Sequence, residues 1–159
     1  MAQYKANVQA TSNTSTNTED VFIEVKAPAN VTVKFKRVRV GYGDGTQTAG
    51  VDNHFRIKLA RWDTTTGGSA TTFTPILVNA NNTAAVATCK IKNGTTALAL
   101  GTTNVTVLDL ISVNGRALYE WLARDDDDMI VVKPASCFAV VIQSSVVSQL
   151  FSATCDWVE

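Results

Sequence analysis

The sequence predicts an all-β protein, an antiparallel β-sandwich of about eight to ten short strands. Apolar residues alternate with polar residues over short runs, which is the period of a strand with one buried face. Clusters of Thr, Asn and Gly separate these runs along most of the chain, as turns separate strands. No segment has a convincing helical periodicity, so two packed sheets are the expected architecture.

The first twenty residues combine one short strand with a polar loop. Residues 4–10 alternate and predict a strand, whereas residues 11–20, TSNTSTNTED, contain too few apolar groups to pack. We therefore expect residues 1–20 to form an N-terminal arm with a flexible loop. Residues 21–159 are expected to form a single β-sandwich domain.

Residues 21–40 predict two strands whose faces can be assigned. In VFIEVK, alternation places Val21 and Val25 on the buried face and Phe22 on the opposite face. In VTVKFKRVRV, the apolar residues change sides beyond Arg37, which predicts a bulge or a strand that switches sheets.

The middle of the chain alternates strands with turns that glycine marks. Residues 41–50 predict a Gly-rich loop, and residues 54–62 predict a strand with clear alternation. Gly67-Gly68 predicts a turn between Thr-rich arms. A further strand near residues 87–92 leads into Asn93-Gly94, the dipeptide best suited to a type I′ hairpin turn.

The last third of the chain adds strands and one ambiguous segment. Residues 105–113 predict a strand, while residues 116–128 fit either a strand or a single helical turn. Residues 129–134 and 137–143 are continuous apolar runs of strand length, and residues 150–159 alternate again. An eight-stranded jelly roll is the most economical arrangement of these strands, and an open barrel is the alternative.

Composition limits the partners and the compartment. Lys plus Arg and Asp plus Glu are both 14, so the chain has no net charge to attract nucleic acid or an anionic membrane, and no run is long enough for a membrane span. Cys89, Cys137 and Cys155 have no metal or redox spacing and are expected to be small buried hydrophobes. Their odd number and the polar N-terminus predict synthesis and folding in a reducing cytoplasm.

Residues for catalysis or cofactor binding are scarce. His54 is the only histidine, and alternation places it on the outer face of a basic strand, away from a nucleophile. One His and three scattered Cys do not supply the four close ligands of a structural zinc. The GYGDG segment lacks the Lys-Ser/Thr pair of a phosphate loop. We expect no enzymatic activity and no cofactor.

Two charged segments suggest contacts instead. The acidic run offers candidate calcium ligands, or else forms a solvated turn; it comprises Asp125, Asp126, Asp127 and Asp128. Basic residues of two strands could form one positive face that meets this run across a subunit boundary. The interface candidates are Lys34, Lys36, Arg37, Arg39, Arg56 and Lys58 on the basic strands and Phe138, Val140 and Ile142 in the CFAVVI run.

Three segments carry a resemblance to a class of proteins. KFKRVRVG, then FRIKLARWDTTTGGSATTFTPILVNANNTAAVAT, and the closing SATCDWVE resemble small virion structural proteins of tailed phages and prophages over about three-quarters of the chain. Such proteins are similar in general organisation to head-decoration proteins and to trimeric jelly rolls of the tumour-necrosis-factor type. The resemblance implies no catalytic residues. Residues 1–20 depart from the pattern of a compact jelly roll, and as a mobile arm they could clasp a neighbouring subunit.

The resemblance leads to an expected function. We expect a capsid decoration, or cement, protein that binds the lattice of the major capsid protein on the virion surface as a homotrimer, with no nucleic acid or membrane partner. Binding only the assembled shell would stabilise that shell by mass action. The alternative is a receptor- or glycan-binding knob of a tail fibre or spike.

Overall fold

The computed structural model describes residues 1–12, 18–42, 54–63, 71–92, 102–114, 117–144 and 149–159. These residues form twelve strands and no helix, so this part of the chain contains no helix that could span a membrane. The strands are β1 (Gln3–Thr11), β2 (Glu19–Lys26), β3 (Val33–Tyr42), β4 (His54–Trp62), β5 (Thr71–Phe73), β6 (Ile76–Leu77), β7 (Thr88–Ile91), β8 (Thr106–Asn114), β9 (Tyr119–Leu122), β10 (Ile130–Val132), β11 (Cys137–Ser144) and β12 (Leu150–Val158).

The strands form two antiparallel sheets that pack face to face. The first sheet has the order β10-β3-β12-β1-β6, with β9 also paired to β3, and the second has the order β5-β7-β2-β11-β4-β8. Strands β1 to β4 alternate between the two sheets. Later in the chain, β12 lies between β1 and β3 in the first sheet, and β11 lies between β2 and β4 in the second. This is the connectivity of a jelly roll, which confirms the predicted fold class.

The strand count exceeds the predicted eight to ten because the jelly roll is extended at both edges. Strands β9 and β10 lie end to end along the same edge of β3 and share one strand position: β9 pairs with residues 37–40 and β10 with residues 33–35. The short strands β5, β6 and β7 lie between β4 and β8 in sequence. Strand β6 extends the first sheet beside β1, and β7 and β5 extend the second sheet beside β2. The predicted Gly67-Gly68 and Asn93-Gly94 turns fall outside the described residues, as do residues 43–50 of the predicted Gly-rich loop.

The first twenty residues contribute to the sandwich itself. Strand β1 is an interior strand, paired with β12 over nine residues and with β6 on its other side. Its alternate side chains Tyr4, Ala6, Val8 and Ala10 are buried in the core. This corrects the assignment of the segment to an arm outside the domain, because a strand that pairs with β12 along its whole length and buries alternate side chains in the core is not free to clasp a neighbour. The polar loop is also shorter than predicted, since β2 begins at Glu19.

Aromatic side chains fill the space between the sheets. Phe35 and Phe138 approach from opposite sheets with ring centroids 4.0 Å apart, and Phe151 lies edge-on to Phe55 at 5.0 Å. Each fully buried side chain of this size contributes about 1.5–3 kcal/mol by leaving water. The core therefore supplies the main stabilisation that orders both sheets and their edges.

The predicted faces of β2 are wrong at its start. Ile23 pairs with Val140 and Val21 with Val141, so Phe22 is an extra residue between two consecutive partners. This bulge shifts the alternation and turns Phe22 into the core, where its ring lies edge-on to Phe151 at 5.9 Å. Val21 instead joins a small buried cluster with Trp62, Cys137, Ala139 and Val141.

The predicted phase change in β3 is confirmed, and its cause is a bulge. Arg37 pairs with Asp156 and Phe35 with Trp157, which leaves Lys36 between them without a direct partner. Val33 and Phe35 before the bulge and Val38 after it are all buried, although their spacing breaks simple alternation. Strand β3 stays in the first sheet throughout. The ambiguous segment at residues 116–128 contains a strand, β9, and a turn.

Candidate functional site

The residues considered for catalysis and metal binding do not converge. His54 is exposed at the start of β4. Among the described residues, no three His, Cys, Asp or Glu side chains lie together as metal ligands would. The acidic run forms an exposed turn between β9 and β10, in which the Asp125 carboxylate accepts hydrogen bonds from the backbone N–H groups of Asp127 at 3.0 Å and Asp128 at 3.1 Å. That carboxylate holds the turn in shape.

The basic residues do not form the single positive face that the sequence suggests. Lys34, Lys36, Arg37 and Arg39 lie on β3 in the first sheet, and Arg56 and Lys58 lie on β4 in the second. Because β3 and β4 belong to different sheets, the two groups are on different layers of the sandwich.

Acidic side chains of the same chain also neutralise part of this basic charge. Arg37 pairs with Asp156 at 2.6 Å, and Arg39 pairs with Glu120 at 2.6 Å. Lys58 pairs with Glu19 at 2.5 Å. A contact between these residues and another subunit would therefore replace existing ion pairs, which weakens the case for them as the principal interface.

The three apolar interface candidates are in the core. Phe138, Val140 and Ile142 point from β11 into the space between the sheets and have no solvent exposure. Their side chains are unavailable to another subunit, which corrects that part of the interface prediction. A continuous apolar run occurs in any strand covered on both faces, and β11 is flanked by β2 and β4 with a second apolar cluster on its other face.

A surface that the sequence did not identify lies along one edge of the sandwich. Seven of the eleven exposed large hydrophobic residues in the described part of the chain are on β8, β9 or β10 or directly precede β8 or β9, so exposed apolar surface is concentrated there. We call this surface the apolar edge; it comprises Val105, Val107, Leu110, Ile111, Leu118, Leu122 and Val131. Leu118 is 63% exposed, and Leu110 and Leu122 are each 59% exposed.

The two sheets are tied together at the apolar edge. The Tyr119 hydroxyl on β9 donates a hydrogen bond of 2.6 Å to the Asp109 carboxylate on β8. Burial, followed by this bond and the Asp109 charge, raises the pKa of Tyr119 far above its ordinary value, so the hydroxyl remains a donor. Beside this link, a groove of about 580 Å³ runs between β8 and β9, with Ile111, Leu118 and Trp121 among its walls.

A separate pocket of about 350 Å³ lies where β4 ends. Four segments meet here, namely the end of β4, the approach to β8, β10 and the approach to β11. We call it the Trp62 pocket; its walls are Arg61, Trp62, Asp63, Asn104, Thr106, Val131, Lys133 and Ser136.

Asp63 organises the polar side of the Trp62 pocket. Its carboxylate accepts hydrogen bonds from Asn104 Nδ2 at 2.9 Å and Ser136 Oγ at 3.1 Å, and pairs with Lys133 Nζ at 3.1 Å. The Asn104 amide, the Lys133 ammonium and the Ser136 hydroxyl together lower the pKa of Asp63. Asn104 adopts a left-handed backbone conformation, with φ of 51°, that asparagine tolerates better than most residues.

Two further donors border the pocket. Arg61 Nη1 donates to the backbone oxygen of Val131 at 3.1 Å, and this is the one hydrogen bond of its guanidinium among the described residues. Trp62 is 1% exposed, and its indole N–H has no acceptor within the described part of the chain. Sequence reasoning missed this pocket because its walls are far apart in sequence; Asp63 and Ser136, which share a hydrogen bond, are 73 positions apart.

No protein-family profile matches this sequence, and a search of curated proteins finds no significant match. The functional argument therefore depends on the fold, the apolar edge and the Trp62 pocket.

Proposed function

We propose that the protein is a structural component of a phage virion, a capsid decoration protein that binds the major capsid protein lattice as a homotrimer. The apolar edge is the observation that carries this proposal. Exposed apolar side chains concentrated at one edge are typical of a surface that binds a partner. The sequence resemblance to virion structural proteins and the jelly-roll fold, which is common in capsid domains, add support.

Strand β8 is suited to contact with another chain. It is a nine-residue strand at the edge of the second sheet, and it contains no Lys, Arg or Pro. Natural proteins usually protect exposed edges with such residues. The one charged side chain on β8, Asp109, is engaged by Tyr119. Apolar side chains on an unprotected edge favour association, so we assign the apolar edge to the contact between subunits.

A cyclic trimer places three identical edges around one axis. Each copy would then bury its exposed leucines against a neighbour, and the remaining surfaces would face the shell and solvent. A trimer matches local threefold positions of a capsid lattice. Many weak contacts at repeated sites then stabilise the assembled shell by mass action, because the protein binds the shell and not its separated subunits.

The first test is the mass in solution of the wild type and two matched variants. A trimer has a mass of about 51 kDa, three times 17.0 kDa. Leu110→Ser should shift the species measured by light scattering after size-exclusion chromatography toward the monomer. Val86→Ser is the control, because Val86 is also 59% exposed but lies outside the apolar edge. A wild-type monomer, or equal effects of the two variants, would contradict the assigned subunit contact.

The second test measures attachment to the shell. Purified heads of the phage or prophage that encodes the chain should co-sediment with the wild-type protein and gain resistance to heating. Leu110→Ser should reduce the bound amount, because a monomer loses the gain in avidity from joined subunits. Heads that sediment without the protein at saturating concentration would reject the decoration role, even if the trimer is present.

A further inference from the structure

The Trp62 pocket presents more hydrogen-bond donors than acceptors. Arg61 uses one of its five N–H groups, and Lys133 uses one ammonium contact, both within the described residues. With one Arg, one Lys and one ionised Asp, the formal charge of the walls is +1. A ligand that complements these walls carries acceptors and one negative charge.

The indole N–H of Trp62 points to the same requirement. Buried donors almost always have an acceptor, and a donor that lacks one indicates a bound water, ion or ligand. Trp62 borders the pocket and is 1% exposed, and its N–H has no acceptor among the described residues. The nitrogen itself is buried, so the acceptor that it requires would lie inside the wall beside the pocket.

We propose that the Trp62 pocket binds a small hydroxylated carboxylate of the sugar-acid class. A carboxylate matches the planar fork of Arg61, and its single charge matches the net charge of the walls. A dianionic phosphate would suffer more repulsion from Asp63. The Asp63 carboxylate accepts three contacts and has about four lone-pair sites, so it can take one more hydrogen bond from a ligand hydroxyl. The volume of about 350 Å³ suits one or two sugar rings.

The experiment is calorimetric titration of the full chain with D-glucuronate, D-glucose and acetate in low-salt buffer at pH 7. We expect saturable binding of glucuronate at one site per chain, and affinities at least about tenfold lower for glucose, which lacks the charge, and for acetate, which lacks the hydroxyls. Arg61→Gln should weaken glucuronate binding by about tenfold or more. Arg56→Gln should leave it unchanged, because Arg56 is an exposed arginine of the same strand outside the pocket.

Three results would overturn the proposal. Heat that does not saturate at millimolar glucuronate would mean that water alone occupies the pocket. Equal affinity for glucose and glucuronate would show that the pocket does not recognise a carboxylate. Equal effects of Arg61→Gln and Arg56→Gln on glucuronate binding would show that glucuronate binds outside the Trp62 pocket. Val131 belongs to both the apolar edge and the pocket walls, so the mass of the species is measured in the titration buffer; failure of glucuronate binding with a trimer present rejects the pocket proposal and leaves the subunit contact standing.

Discussion

At the scale of single residues, the ion pair between Lys92 and Asp20 is the most deeply buried ion pair of the described residues. Lys92 Nζ lies 2.7 Å from Asp20 Oδ1, and both side chains are at most 1% exposed. The ammonium also lies 5.6 Å from the centre of the Phe22 ring. Removing two charges from water is costly, and their attraction offsets that cost only while both partners remain. The pair therefore fixes the position of β2 relative to the residue that follows β7.

Lys92→Ala should lower the free energy of unfolding by about 3–5 kcal/mol, because it leaves the Asp20 charge buried without its cation. Urea denaturation followed by tryptophan fluorescence measures this change. Lys58→Ala is the matched control: Lys58 pairs with Glu19, whose side chain is 46% exposed, and loss of such a pair should cost about 0.2–1 kcal/mol. Similar losses in the two variants would show that burial does not set the strength of these pairs.

At the scale of elements, the apolar edge depends on the link between β8 and β9. These strands belong to different sheets, and the hydrogen bond from Tyr119 to Asp109 joins them. Strand β9 has only four residues and pairs with β3 alone, so it gains little from its own ladder. The side-chain link therefore sets the separation of the two edge strands and the width of the groove between them.

Tyr119→Phe should lower the free energy of unfolding by about 1–2 kcal/mol, since Asp109 loses its donor but is near enough to solvent for water to replace part of the bond. Hydrogen exchange of the β8 amides should become faster, which reports loosening of the edge. Tyr4→Phe is the control, because it removes a 3.0 Å hydrogen bond to the Thr83 carbonyl oxygen, which belongs to a different edge of the sandwich. Unchanged β8 exchange in Tyr119→Phe would show that the link does not hold the edge.

The same elements show how far sequence patterns determine this fold. Strands such as β1 and β4 were predictable because their two faces differ in polarity, and the bulge in β3 was predictable from its own phase change. The bulge at Phe22 was not, because it exists only in the register between β2 and β11. The apolar run of β11 had no polarity difference from which to distinguish core from interface.

The candidate sites were less predictable than the strands. Whether Leu110 is exposed depends on β8 being an edge strand, which is a property of the sheet order and not of the β8 sequence. The Trp62 pocket joins Asp63 to Asn104 and to Ser136, residues that are 41 and 73 positions apart. Only the jelly-roll connectivity brings these segments to one end of the sandwich.

At the scale of the whole molecule, the buried thiols make stability sensitive to alkaline pH. Cys89, Cys137 and Cys155 are all buried thiols. Burial, with the Glu24 charge adding to it, raises the pKa of Cys89 from 9.0 to about 12 and that of Cys137 to about 12. Burial likewise raises the pKa of Cys155 well above 9.0. The folded protein therefore keeps thiol protons that the unfolded chain releases above pH 9.

Stability should be constant with respect to these thiols below pH 9 and fall as the pH rises from 9 toward 12. The folded state then binds more protons than the unfolded state, so raising the pH favours unfolding by up to about 1.4 kcal/mol per pH unit for each thiol. Urea denaturation at a series of pH values, with a reductant present, measures the slope.

Cys89→Ala should make the slope shallower. Val25→Ala, at the position paired with Cys89 in the sheet, removes core volume without a titrating group and should lower stability equally at every pH. An unchanged slope in Cys89→Ala would mean that the pKa of this thiol is the same in the folded and unfolded states.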